Sequence, residues 1–191
     1  MDAKQFRLGA VIFSVAAFLG ITGCIGFALG KVSGRGTIPS AYSGFASSWS
    51  KASFSFDADS CAGTVTGRFN FQDRYFPVTF NGKSVQGGVK MNGGVTEAVV
   101  CLGVDGGYYL CEECRDSFSY TPPFYAIAVE YRSANRFVPG EGYAYVCIPN
   151  KGEGESVASA YQIGIRAESG PFAGYINKGE ARGKIHSYRC E

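Results

Sequence analysis

Histidine occurs once in the 191 residues, at His186, with one tryptophan and two methionines. A hydrolytic serine or cysteine needs a base to take its proton, and His186 is the single candidate. It sits in the alternating run Gly183-Lys184-Ile185-His186-Ser187-Tyr188. There Ile185 would face a core and His186 would face solvent, which suits a surface strand residue better than a triad member. Other equipment is missing too. No Walker A or dinucleotide pattern precedes a helix, so the 27 glycines read as turn and bulge residues. Asp57 and Asp59, or Glu153 and Glu155, lack the spacing of a calcium loop and read as solvated turn carboxylates. Nothing singles out two carboxylates for acid–base work. These absences predict a protein that is not an enzyme and carries no cofactor and no metal.

An excess of either charge is also lacking, at 18 Lys+Arg against 16 Asp+Glu. Five of the basic residues and one acidic residue fall in the first 52, leaving 13 against 15. No basic face for nucleic acid is expected from that balance. Charge is wholly missing from Leu8 to Gly30, directly after Lys4 and Arg7. As a helix that run would be about 35 Å long, enough for a hydrocarbon core of about 30 Å. Three fates are open to it: a retained membrane helix, lipidation at Cys24 in Ile21-Thr22-Gly23-Cys24, or cleavage after Ala28-Leu29-Gly30. The apolar run continues past Cys24, which favours the retained helix. Ala16, Gly20, Gly23, Gly26 and Gly30 recur at intervals of three and four, the spacing that lets a second membrane helix approach closely.

Cysteine is present seven times, and setting Cys24 aside leaves Cys61, Cys101, Cys111, Cys114, Cys147 and Cys190. An even set following an export-type segment predicts up to three disulfides and an oxidising compartment. A loop at Asp105-Gly106-Gly107 would place Cys101 opposite Cys111 in a hairpin, and Cys61 with Cys190 would staple the domain's ends. Cys111-Glu112-Glu113-Cys114 raises a redox reading, but no thioredoxin-like setting surrounds it, Arg115 excludes haem attachment, and no second cysteine pair completes a zinc site.

Three segments follow: a signal-anchor or transmembrane helix over 1–31, a Ser/Gly-rich tether over 32–52, and a disulfide-stapled β-domain over 53–191. Period-two alternation marks the last, as in Arg68-Phe69-Asn70-Phe71, in Ile127, Val129 and Tyr131, in Ala144 and Val146, and in Ile163 and Ile165. Turn signals lie at Asn81-Gly82, Asn92-Gly93, Asp105-Gly106 and Pro139-Gly140. No helical stripe stands out, so the expected fold is all-β, an antiparallel sandwich or barrel preceded by one transmembrane helix.

The stretches GTVTGRFNFQDR (63–74), VKMNGGVT (89–96) and the block 125–188, ending in Gly170-Pro171-Phe172 and Gly183-Lys184-Ile185-His186, resemble a secreted bacterial β-domain of the post-COAP type. The resemblance implies export and an all-β fold. It supplies no catalytic residues, and the six cysteines depart from the group's pattern. The reading that follows is a single-pass membrane protein with its β-domain on the extracytoplasmic side, a non-catalytic accessory or assembly subunit whose partners are the membrane and other transmembrane subunits. Two alternatives remain: an envelope-surface module binding carbohydrate through Tyr108, Tyr109 or Tyr125, and a disulfide redox protein using Cys111 and Cys114.

Overall fold

The computed structural model describes residues 30–42, 50–80, 83–85, 88–101, 109–119, 124–133, 140–149, 154–188 and 190. Ten strands run in chain order: β1 Lys31–Pro39, β2 Lys51–Asp59, β3 Thr66–Asp73, β4 Val78–Phe80, β5 Lys83–Val85, β6 Val89–Cys101, β7 Phe124–Ser133, β8 Glu141–Pro149, β9 Gly154–Ala167 and β10 Ile176–Tyr188. One helix, α1 Tyr109–Phe118, lies between β6 and β7. Eight strands form a closed antiparallel barrel in the circular order β1, β2, β3, β6, β7, β8, β9, β10. Each pairs with the next in that order, β3 with β6 across the intervening β4 and β5, and β10 closes on β1 from Lys31↔Tyr188 to Thr37↔Arg182. The β4–β5 hairpin is set apart from the barrel.

Alternation decides what the barrel encloses. Phe54 and Phe56 of β2, Phe69 and Phe71 of β3, Ile127, Val129 and Tyr131 of β7, and Ile163 and Ile165 of β9 all enter one buried cluster. Small eight-stranded barrels are filled by their own side chains or hold one small ligand. Aromatic and branched residues fill this one. Burying a single such side chain contributes on the order of 2 kcal/mol, so the cluster is the main source of stability.

The N-terminal part of the expected tether is instead β1. Its inward positions read Val32, Gly34, Gly36 and Ile38, and the two glycines hid the alternation. A Cβ on Gly34 would come within 2.5 Å of the Phe56 ring, so glycine there makes room for an aromatic neighbour. Asn92-Gly93 is not a turn but lies within β6, paired to Asn70 and Phe69 on one side and to Arg132 and Tyr131 on the other. Gly30, expected among the helix-packing residues, precedes β1 at φ +75° and accepts hydrogen bonds from Ser60 N (3.0 Å) and Ser60 Oγ (3.3 Å). Ala16, Gly20, Gly23, Cys24 and Gly26 lie outside the described residues. Among the described residues no helix is long and apolar enough to cross a membrane.

The all-β expectation holds for the barrel but missed α1. Leu110, Cys114 and Phe118, four residues apart, form one buried stripe and pack on Phe124, Ala126 and Ala128 of β7 and Cys147 of β8. Strand β7 is therefore covered on both faces, inward by the barrel core and outward by α1, which explains its nearly unbroken apolar sequence FYAIAV. The helix ends as Ser119 takes φ +55° and donates its N–H to Arg115 O at 2.8 Å.

One end of the barrel carries a buried polar network. Asp73 is fully buried, and its carboxylate accepts hydrogen bonds from Ser40 Oγ (2.6 Å), Ala41 N (2.9 Å), Tyr75 N (3.2 Å) and the Tyr175 hydroxyl (2.9 Å). Asn177 Nδ2 donates to the Tyr175 hydroxyl (2.9 Å) and to Pro39 O (3.1 Å). This carboxylate thus ties the ends of β1, β3 and β10 together. Burial, then the Asp73 charge, pushes the Tyr175 phenol well above its usual range.

Candidate functional site

With the interior filled, the barrel offers its outer wall. The six cysteines expected in disulfides all form them, as Cys61–Cys190, Cys101–Cys111 and Cys114–Cys147, with Cα separations of 5.3, 5.6 and 5.6 Å. The hairpin argument for Cys101–Cys111 reached the right pair by the wrong route, because Cys111 belongs to the helix. Residues 105–107 lie outside the described residues. Cys111 and Cys114 are bonded to different partners rather than to each other, so the two do not form the CxxC disulfide that the redox reading requires.

Two disulfides consequently fasten α1 to β6 and β8, and an ion-pair set fastens it to β9. Arg166 Nη1 donates to both Glu113 oxygens, at 3.0 and 2.9 Å, while its Nε lies 2.6 Å from Glu168 Oε1. Tyr109, exposed at the start of α1, meets Tyr145 edge-on with ring centroids 5.9 Å apart. Burial first, then the Tyr109 hydroxyl, raises the Tyr145 phenol far above its usual range. Of the tyrosines proposed as platforms, Tyr109 is exposed. Tyr125 belongs to the barrel core, and Tyr108 lies outside the described residues.

Grooves score the wall, and two of them carry charged side chains of both signs. One, of about 490 Å³, crosses β6, β7 and β8 between Asn92, Thr96, Glu130, Arg132, Glu141 and the exposed Tyr143. Its charges answer one another: Arg132 Nε lies 3.0 Å from Glu141 Oε1, and the Tyr143 hydroxyl donates to Glu130 Oε1 at 3.4 Å. The sequence singles out none of these side chains, and the signal that would have found this groove is the cross-strand pairing of Glu130 with Tyr143 and of Arg132 with Glu141. The other groove, of about 290 Å³, lies where β1 ends and β2 begins, beside β10. Thr37, Pro39, Ser50, Lys51, Glu180 and Arg182 line it.

His186 is half-buried on β10 and faces Ser33 across the β1 ladder, with Asp57 opposite Ser33 on β2. Among the described residues no side-chain hydrogen bond joins Ser33 to His186 or to Asp57. Asp59 is held by other work: Oδ1 accepts from Cys61 N at 3.0 Å and Oδ2 lies 3.1 Å from Lys31 Nζ. The Cys61 amide, then Lys31, keeps its carboxyl below the usual value.

Comparison of the chain with protein-family models, curated proteins and solved structures finds no match. The stretches expected to resemble post-COAP domains fall on β3, β6 and β7 to β10.

Proposed function

We infer that the protein is a non-catalytic extracytoplasmic module, held at a membrane by its N-terminal apolar run and acting through the outer wall of its barrel as an accessory subunit or surface-binding domain. The observation that carries this reading is the use of all six cysteines outside the apolar run in disulfides. Such full pairing suits an oxidising compartment and would not persist against cytosolic reductants. The filled interior supports action by surface contact rather than by enclosing a small ligand. The 23 uncharged residues from Leu8 to Gly30 support the anchor.

Protease added to intact spheroplasts tests the placement. The barrel should be digested, or trimmed at its exposed loops, without lysis, and the protein should stay with the membrane fraction after a high-salt wash. Protection until lysis would reject the reading. The accessory role is tested by extraction in mild detergent, where a larger complex is expected and a lone monomer would argue for the surface-binding form.

A further inference from the structure

We propose that the seam where the barrel closes, β1 against β10 with the start of β2, is a binding site for an anionic, polyhydroxylated polymer, namely a polysaccharide bearing uronic-acid carboxylates. The proposal rests on the reading of the chain as an exported module and names the ligand class of one part of its wall.

Closure of the barrel gathers positive charge that the sequence keeps apart. Arg35 of β1 stands directly opposite Lys184 of β10, and Thr37 stands opposite Arg182. All three cations point outward, together with Lys51 at the start of β2 and Lys178 at the start of β10. The Arg35–Lys184 rung thus sets two like charges opposite each other on the outer face of the seam. Among the described residues, Arg35, Lys51 and Arg182 form no ion pair with a carboxylate, in contrast to Arg132 and Arg166 on the other wall. Neighbouring positions on such a sheet lie roughly 5 Å apart across strands and 7 Å apart along them. A row at that spacing suits repeating carboxylates better than one ion, because each further contact is made at high effective concentration.

The cleft at the end of this row specifies more than charge. Between Lys51 and Arg182 it presents the Thr37 side chain and the Glu180 carboxylate. A carboxylate would repel a bare polyanion but accepts hydrogen bonds from sugar hydroxyls, so the mixture fits a chain carrying both groups. Its position argues against lipid headgroups. The cleft lies at the Pro39 end of β1, whereas the apolar run joins at Gly30, and the eight steps of strand from Lys31 to Pro39 span up to about 26 Å at ~3.3 Å each. A bilayer met at the Gly30 end is then about three screening lengths from the cleft at physiological salt.

The test uses detergent-extracted full-length protein and three probes: polygalacturonate, the same polymer fully methyl-esterified, and phosphatidylcholine vesicles with one quarter phosphatidylglycerol. Binding to polygalacturonate that weakens with salt, with little to the ester or the vesicles, is the expected result. Arg35→Ser with Arg182→Ser should weaken it about tenfold, Arg182→Lys should retain most of it, and Arg132→Ser in the other groove should leave it unchanged. Equal binding to the ester, preference for the vesicles, or indifference to the double substitution would overturn the proposal. So would absence of binding by protein whose three disulfides are intact, an outcome that leaves the extracytoplasmic reading standing.

Discussion

The two sides of the barrel are built differently. Over part of β6 to β9 the wall is layered: α1 covers the end of it that holds Cys101, Phe124 and Cys147, two disulfides fix the helix, and Arg166 sits between Glu113 and Glu168. At the β1–β10 seam there is one layer, held by its ladder of backbone hydrogen bonds, the Cys61–Cys190 bond at one end and the Asp73 network at the other. Charge follows the same division. On the layered wall Arg132 and Arg166 lie against carboxylates, while at the seam Arg35 and Arg182 form no ion pair among the described residues and Lys31 is held by Asp59. A cation already held by a carboxylate has little to offer an anionic ligand, and one without such a partner has more.

Breaking the staples separates the two sides most strongly. Replacing Cys61 and Cys190 by Ser opens a span of 129 residues and should cost about 5 kcal/mol on the chain-entropy model, against about 4 kcal/mol for Cys114 with Cys147, whose separation is 33. Denaturant unfolding should give this order. Hydrogen exchange should show the first variant fraying along β1 and β10, and the second along α1. If both fray at the same sites, the two sides are not distinct.

Asp73→Ala should cost about 3 kcal/mol, because it removes a buried acceptor from four donors, the Tyr175 hydroxyl among them. Asp73→Asn should recover only part of that loss, since the amide presents donors where the site supplies donors. Gly183→Val should cost about 2 kcal/mol and act on the seam alone. A Cβ there meets the Arg35 carbonyl, and a Cβ on its partner Gly36 meets the Arg182 carbonyl at 2.5 Å.

The smallest effects belong to single hydroxyls and to pH. Tyr131→Phe removes the bond from its hydroxyl to Ser169 O, 2.6 Å, and should cost about 1 kcal/mol. Burial raises the Tyr131 and Tyr175 phenols in the folded state, so the unfolded chain loses those protons first as pH rises. Their contribution is fully present below an unfolded value of about 10 and is lost above it as the pH climbs toward the folded values. Stability should therefore fall in that alkaline range, and less steeply in Tyr175→Phe; an unchanged slope would remove this assignment.

Much of the fold was legible where strands alternate cleanly: Phe69 and Phe71, Ile127 through Tyr131, and Ala144 with Val146 fall on the faces their spacing implies. It was illegible where a residue serves two purposes. Glycine at inward positions made β1 resemble a linker, though Gly34 is there to admit Phe56. Cysteine in the α1 stripe was counted toward disulfides instead of toward an apolar face, so Leu110, Cys114 and Phe118 went unseen as a helix. The seam was hidden for a different reason. Arg35, Lys51, Arg182 and Lys184 are brought side by side only when the first and last strands pair, and a charge balance taken along the chain averages them away.

The claim underlying all of this is that the chain lives where its cysteines are oxidised. It is tested by trapping thiols with an alkylating agent during lysis of native cells, then measuring the intact mass of the membrane-extracted protein. No alkylation is expected at Cys61, Cys101, Cys111, Cys114, Cys147 or Cys190, with peptides joined as Cys61–Cys190, Cys101–Cys111 and Cys114–Cys147. Alkyl groups on all six would contradict it.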